Sequence, residues 1–262
     1  MRLTVVGCSG SFAGPDSPAS CYLVQAEHAG RTWNLVVDLG NGALGALQRH
    51  IDLDSIDAIV LSHLHPDHCL DLCGLFVVQK YNPARGGIPP RRIPVYGPAD
   101  TAARMSRANG VTLSESQDPH GLDPEFDFRR MVSGVPFTLG PFTVRPQRVN
   151  HPVEAFGMRI EADGRVLCYT GDTDSCTALV GLLRDSDLAL VDSAFQEGRD
   201  ATTGIHLSGR RAAQAAVEAG GVRRLMLTHI PPWNEVSVSV AEAQGVWSGE
   251  VEVATQGTTY EL

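Results

Sequence analysis

The sequence predicts an α/β (α+β) fold, and three observations carry that expectation. Short apolar runs, such as residues 56–61 and 188–192, have the length of buried strands. Capped, helix-length segments such as 209–219 lie between them. Several of the strands end in His or Asp, and residues that end different strands on one sheet edge converge, which is how α/β folds build sites.

The elements follow in order. A first strand over 3–7 runs into Gly7-Cys8-Ser9-Gly10-Ser11 and then Gly14 to Ser20. These small residues either let backbone N–H groups cradle an anion at Ser9, Gly10 and Ser11 or simply make a turn-rich connection. Residues 22–26 and 33–38 pattern as a hairpin ending at Asp38, and 43–51 as a helix. Asp38 is either a turn former or a group bracing the loop after the next strand. That strand, 56–61, leads into a helix running from about 68 to Tyr81 and a loop over 83–92 with Arg85, Arg91 and Arg92. Those arginines read as solvated, with attraction of an anionic substrate as the alternative. A strand over 93–97 precedes a short helix to Ala108 capped by Asp100. Residues 111–130 are acidic and irregular, suited to a lid or a dimer contact.

The second half repeats the opening logic. A hairpin over 136–145 is followed by a further strand delivering His151. A second hairpin, 155–161 and 165–170, ends in Thr170-Gly171-Asp172-Thr173. A helix over 175–184, a strand over 188–192 and a helix over 209–219 capped by Ser208 come next. A strand over 222–228 delivers His229, a helix runs from about 238 to 247, and 251–253 closes the sheet.

The stretch Ser62-His63-Leu64-His65-Pro66-Asp67-His68 sits at the end of the 56–61 strand. His63 and His65 alternate along extended backbone and reach one metal from the same side. Asp67 and His68 follow Pro66 and face a second. Imidazole and carboxylate are ligands for Zn, Mn or Fe. A loop merely rich in His would not be matched by His151, Asp172 and His229 at later strand ends. Cys69 and Cys73, one helical turn apart, read as small buried thiols because the His/Asp set already supplies enough ligands. His28, His50 and His120 read as surface or packing residues, and Arg2, Arg210 and Arg211 as solvated charge.

Composition sets the remaining bounds. A chain of 262 residues buries a full core without disulfides. A net charge of −9 argues against a general nucleic-acid binder. No segment is long and apolar enough to span a membrane, and Met1-Arg2 leads straight into a strand rather than a signal peptide. A cytoplasmic protein is expected, with its six cysteines reduced.

The pattern His63-x-His65-x-Asp67-His68, then His151, Asp172 and His229, resembles the dinuclear metallo-hydrolases of the metallo-β-lactamase fold over nearly the whole chain. That resemblance implies one domain over 1–262, a four-layer αββα sandwich. It implies two divalent metals, Zn2+ foremost with Mn2+ or Fe2+ possible in its place. His63, His65 and His151 would hold one, Asp67, His68 and His229 the other, with Asp172 bridging and Asp38 behind the ligands. Secreted β-lactamases carry a signal peptide and a bridging-position cysteine, flavo-diiron reductases a Glu where His65 stands, and β-CASP nucleases a large extra domain.

Within the fold, Gly7 to Ser11, Thr170 to Thr173 and His206-Leu207-Ser208 resemble the ribonuclease Z-like phosphodiesterases. The protruding arm of the tRNA-processing members is absent. Gly14 to Ser20, Gly45 to His50 and Leu227 to Trp233 look like the actinobacterial atypical class II cyclic-nucleotide phosphodiesterases. The resemblance implies hydrolysis of a cyclic nucleotide such as cyclic AMP by a metal-activated hydroxide. Asp67 would orient the water, His206 would serve the leaving oxygen, and Asp192 would hold His206 in its tautomer. It suggests a homodimer. Other small-ester hydrolysis (2′,3′-cyclic phosphates, lactones, thioesters) fits the same ligands, and a metal-stabilised binding protein without turnover is the reading from another class.

Overall fold

Alternation along each strand decides the layering of this protein, seen in a computed structural model that describes residues 1–86 and 91–262. Strands β1 (Arg2–Gly7), β2 (Cys21–His28), β3 (Arg31–Val37), β4 (Ala58–Val60), β5 (Ile93–Gly97) and β6 (Phe126–Arg130) belong to one sheet. Strands β7 (Phe137–Leu139), β8 (Phe142–Arg148), β9 (Phe156–Ala162), β10 (Arg165–Tyr169), β11 (Leu188–Asp192), β12 (Leu225–Thr228) and β13 (Val251–Val253) form the other. The last strand, β14 (Thr259–Glu261), returns to the first sheet beside β1. Among the described residues each sheet therefore has seven strands, in the orders β14-β1-β2-β3-β4-β5-β6 and β13-β12-β11-β10-β9-β8-β7.

Successive strand residues point to opposite faces. Val5, Tyr22, Val24, Leu35, Val37 and Val60 of the first sheet meet Val144, Met158, Ile160, Leu167, Leu190 and Met226 of the second in one buried core. The intervening residues, among them Val6, Leu23, Val36, Ile59 and Leu61, pack outward against helices α1 (Ala43–Leu47), α2 (Pro66–Cys69), α3 (Leu72–Tyr81) and α4 (Thr101–Asn109). Beyond α4 a short helix, α5 (Leu113–Gln117), opens with a capping box between Thr112 and Glu115. The outer face of the second sheet packs on α6 (Ala178–Leu183), α7 (Gly209–Ala219) and α8 (Val236–Gln244). The result is the helix–sheet–sheet–helix sandwich expected. Each fully buried Leu, Ile or Val in these layers contributes about 1.5–3 kcal/mol over its exposed state.

Several elements differ from expectation. The helix expected to run unbroken to Tyr81 splits at Leu70-Asp71, because the Asp71 N–H donates to the Leu39 carbonyl and its carboxylate accepts from the Leu44 N–H. The 43–51 helix stops at Leu47, where the chain tightens into Arg49→Ala46 and His50→Leu47 bonds. Asp100 makes no side-chain cap. Residues 126–130, read as irregular, are strand β6, paired parallel to β5. His151 follows β8 itself rather than a further strand. The loop expected over 83–92 lies in part outside the described residues, as does the Arg85 side chain. Arg91 donates to the Ile56 carbonyl and Arg92 to the Phe126 carbonyl, at the entry ends of β4 and β6. The cluster at His63 follows the exit end of β4, so these two arginines do not stand at the site.

The site is placed by strand direction. β3, β4 and β5 run parallel, as do β10, β11 and β12, so their C-terminal ends share an edge in each sheet. β8 is antiparallel to β9, which is antiparallel to β10, so its C-terminal end joins the same edge. The two edges are joined where the Phe156 N–H donates to the Ser62 carbonyl at 3.0 Å. Among the described residues no helix is long and apolar enough to cross a membrane.

Candidate metal centre

Six strand exits bring their residues to this edge: Asp38 after β3, His63 after β4, His151 after β8, Asp172 after β10, Asp192 ending β11 and His229 after β12. Helix α2 adds Asp67 and His68 from its first turn, with Pro66 at the position where a missing N–H costs nothing. Gly40 lets this turn sit close to the β3 exit, since a Cβ there would lie 2.0 Å from the Asp67 carbonyl oxygen.

The side chains form two adjoining clusters. In the first, His65 Nδ1 lies 2.9 Å from His63 Nε2 and 3.2 Å from His151 Nε2. In the second, Asp67 Oδ2, His68 Nε2 and His229 Nε2 lie between 3.1 and 3.4 Å of one another. Asp172 stands between them, with Oδ2 3.6 Å from His63 Nε2 and Oδ1 3.2 Å from His68 Nε2 and 3.4 Å from His229 Nε2.

A divalent metal fits this donor set. Asp172 Oδ1 is buried and receives no hydrogen bond, although two ring nitrogens lie within 3.4 Å. Orphaned buried oxygens are rare and call for a partner. Ligand atoms of each cluster fall within 4.8 Å of one another. Burial pushes the imidazoles of His63, His65 and His151 down, leaving them neutral and ready to donate lone pairs. Around His68 and His229 burial pushes the same way, but Asp172 and the neighbouring carboxylates outweigh it. They hold His68 well above the usual histidine range and His229 up to about 10. Against the upward push of burial, His68 and His229 keep the Asp67 and Asp172 carboxyls far below the usual carboxylate range. Positive charge is therefore demanded where these carboxylates meet, a demand that a divalent cation meets with loss of the protons.

Groups behind the two clusters fix the orientation of their side chains. Asp38 is fully buried and holds a left-handed backbone conformation (φ 57°). Its Oδ1 accepts from the Ser62 N–H at 2.6 Å. Its Oδ2 accepts from the Ser62 hydroxyl at 2.8 Å and the Tyr169 hydroxyl at 2.9 Å. His68 Nδ1 lies 2.8 Å from the same oxygen, a donation that leaves Nε2 free to ligate. His151 Nδ1 is tied to the Ile205 carbonyl at 2.9 Å. Alanine at position 38 is expected to lower zinc affinity about 10–100-fold. It would also leave buried donors unpaired at about 1–3 kcal/mol each. A zinc titration against a competing chelator measures the first effect, and unchanged affinity would refute the bracing role.

His206 lies beside both clusters, its ring centre 5.5 Å from that of His151 and 5.3 Å from that of His229. Its Nδ1 is 2.9 Å from Asp192 Oδ2. Asp192 is itself fixed by the Thr173 and Ala194 N–H groups. Burial pushes His206 down, but the Asp192 carboxylate prevails and holds it above the usual value. The loop carrying His206 is strapped by Asp174, which accepts from the Gly204 N–H and from Arg211. Arg211 also bonds Glu197, so it is part of this strap and not the solvated charge its position in the sequence suggested.

Other expectations are narrowed. The Ser9 and Gly10 N–H groups donate to the Pro18 and Ile230 carbonyls, so they are not free for an anion. The Ser11 N–H alone faces the site, 3.3 Å from His229 Nε2. The Cys69 thiol donates to the His65 carbonyl, and burial pushes its pKa to about 12, in keeping with a small buried thiol. His120 is exposed beside Asp123, and half-buried His50 has no partner for Nε2. Ser62 and Tyr169 were not anticipated. Ser62 adjoins the histidine cluster in sequence, whereas only the folded sheet brings Tyr169 to Asp38.

Residues 33–230 match the family model of the beta-lactamase superfamily domain. The chain is 44% identical to a protein of Mycobacterium leprae over 100% of its own length and 89% of that protein. It is 29% identical to the probable metallo-hydrolase YhfI of Bacillus subtilis over 100% of both. It is 27% identical to ribonuclease Z of Myxococcus xanthus over 100% of this chain and 98% of that one. The crystal structure of YhfI, a metallo-beta-lactamase fold protein, matches with a TM-score of 0.84 at 27% identity, covering 99% of this chain and 98% of that one. Human short-form tRNase Z matches with a TM-score of 0.73 at 21% identity over 100% and 99%.

Proposed function

The chain belongs to the beta-lactamase superfamily of metal-dependent hydrolases, and from that membership we propose that it is a phosphodiesterase opening 3′,5′-cyclic nucleotides, cyclic AMP to 5′-AMP. The observation that carries the reading is His206. A buried imidazole with Nδ1 tied to Asp192 presents Nε2 as a proton donor beside the two clusters. A phosphodiester needs such a donor, because its leaving alkoxide is a strong base.

His63, His65 and His151 would hold one divalent ion, Asp67, His68 and His229 the other, and Asp172 would serve both. Zinc is the first expectation, with manganese or iron as alternatives. Bound there, the ions would supply Lewis-acid charge and an acidified water. Asp67 orients the attacking water through its carboxylate. His206 stabilises charge on the phosphate and gives its Nε2 proton to the leaving 3′ oxygen. Asp192 keeps that imidazole charged and its ring in one orientation. We place this activity in the cytoplasm, where Cys8, Cys21, Cys69, Cys73, Cys168 and Cys176, all free thiols, stay reduced.

The test is hydrolysis of 3′,5′-cyclic AMP by zinc- or manganese-loaded protein, followed by phosphorus NMR, with Asp172→Ala as control. Appearance of 5′-AMP that the control lacks supports the reading. The ribonuclease Z similarity favours one second reading, cleavage of a tRNA 3′ trailer. The net charge of −9 opposes it. Trailer release without 5′-AMP release would transfer the assignment to that reaction.

A further inference from the structure

Resting on the cyclic-nucleotide reading, we propose that Phe12 and Trp233 form a stacking platform for the substrate's nucleobase. Both rings stand in water: Phe12 is 40% exposed and Trp233 62%. Their centroids lie 5.0 Å apart at an interplanar angle of 36°. Large aromatics in a folded chain ordinarily bury their area, and a paired exposed set beside a site marks a recognition surface.

The position of the pair ties it to the metal centre. Phe12 directly follows Ser11, whose N–H lies 3.3 Å from His229 Nε2. Consecutive Cα atoms are about 3.8 Å apart. The Phe12 backbone is thus one residue from a ligand of the second cluster, and Trp233 is four residues past the same ligand. A nucleobase is separated from its cyclic phosphate by one sugar ring, a span of that order.

The two loops are locked to each other. The Gly10 N–H donates to the Ile230 carbonyl at 3.2 Å, and Ser9 pairs with Ile230 as an isolated bridge. A Cβ on Gly10 would lie 2.1 Å from the His229 carbonyl oxygen, so only glycine permits this approach. Next to Trp233, Asn234 donates to the Ala194 carbonyl at 2.8 Å and accepts from Arg199 at 2.7 Å. The platform is therefore held at a fixed offset from His229 rather than on a free loop. Every base has a π-face, so the pair selects for a planar ring and tolerates different bases.

The experiment compares kcat/KM of the metal-loaded full chain for 3′,5′-cyclic AMP and for methyl ribofuranoside 3′,5′-cyclic phosphate, which lacks a base. Trp233→Ala should lower the ratio of the two values about tenfold, chiefly through KM for cyclic AMP. Phe12→Ala should act in the same direction, and Trp233→Phe should restore most of the ratio. Titration with 5′-AMP should quench tryptophan fluorescence in the parent and not in Trp233→Phe. This reads the platform without turnover. An unchanged ratio in both alanine variants, or equal loss on both substrates, overturns the platform. So does a change from dimer to monomer on sedimentation with the ratio intact, which would make the pair a contact between copies. Absence of turnover in the parent defeats the cyclic-nucleotide reading, and the fluorescence titration then decides the platform alone.

Discussion

Asp172→Ala is expected to lower phosphodiester turnover at least on the order of a thousandfold and to drop bound metal below two ions per chain. Asp172 is the residue common to both clusters, with one oxygen 3.6 Å from His63 and the other 3.2 Å from His68. Its removal leaves the first cluster with three imidazoles that burial keeps neutral and no anion to balance a divalent charge. It also takes from His68 and His229 the carboxylate that contributes most to their charge. The second cluster retains Asp67, so some metal should remain there at reduced affinity. The same preparation should be assayed for turnover and for zinc by plasma mass spectrometry. Retention of two ions with kcat within tenfold of the parent would remove Asp172 from its assigned place. Because the side chain is buried, circular dichroism of the metal-free variant is needed to show that loss of metal, not loss of fold, produces the effect.

The residues that the fold gathers into the two clusters were legible because their information is local or topological. Four of them fall between His63 and His68, and strand length with turn residues places the others at exits of apolar strands. The layering came from the family resemblance, because β2, β3 and β4 are apolar on both faces and local pattern does not say which face meets the other sheet and which the helices. The failures share a different cause. Asp71 looks like an ordinary helix residue until its carboxylate meets the Leu44 N–H of another segment. Phe126-Asp127-Phe128-Arg129-Arg130 carries three charges, yet parallel pairing with β5 makes it a strand. β14 exists because the chain end returns to the exposed edge of β1. Tyr169 and Arg211 act through partners 131 and 37 residues away, Asp38 and Asp174. Small residues at Ser9 and Gly10 suggested free N–H groups, whereas β-bridge pairing to Ile230 and a bond to Pro18 consume them. In each case tertiary partners decide what local pattern leaves open.

His206→Ala is expected to lower kcat about 10²–10⁴-fold, the usual contribution of a positioned proton donor, while metal content stays at the parent level. His206 Nδ1 is 2.9 Å from Asp192 and 4.0 Å from Asp172, so its hydrogen bond goes to Asp192. Its removal takes no donor from either His-rich cluster, although Asp172, Asp192, His206 and His229 also lie close enough together to hold an ion. That proximity makes the metal count decisive. If His206 serves the leaving oxygen, the variant should keep its ions and recover rate on a substrate with an acidic leaving group. Such a phosphodiester, with a p-nitrophenolate leaving group, needs little protonation and should lose far less than cyclic AMP. Asp192→Asn should follow the same pattern more weakly, since it retains a side chain of the same shape but not the charge that raises His206. Equal loss of turnover and metal, or equal loss on both substrates, would make His206 a structural or ligating residue and withdraw it from the chemistry.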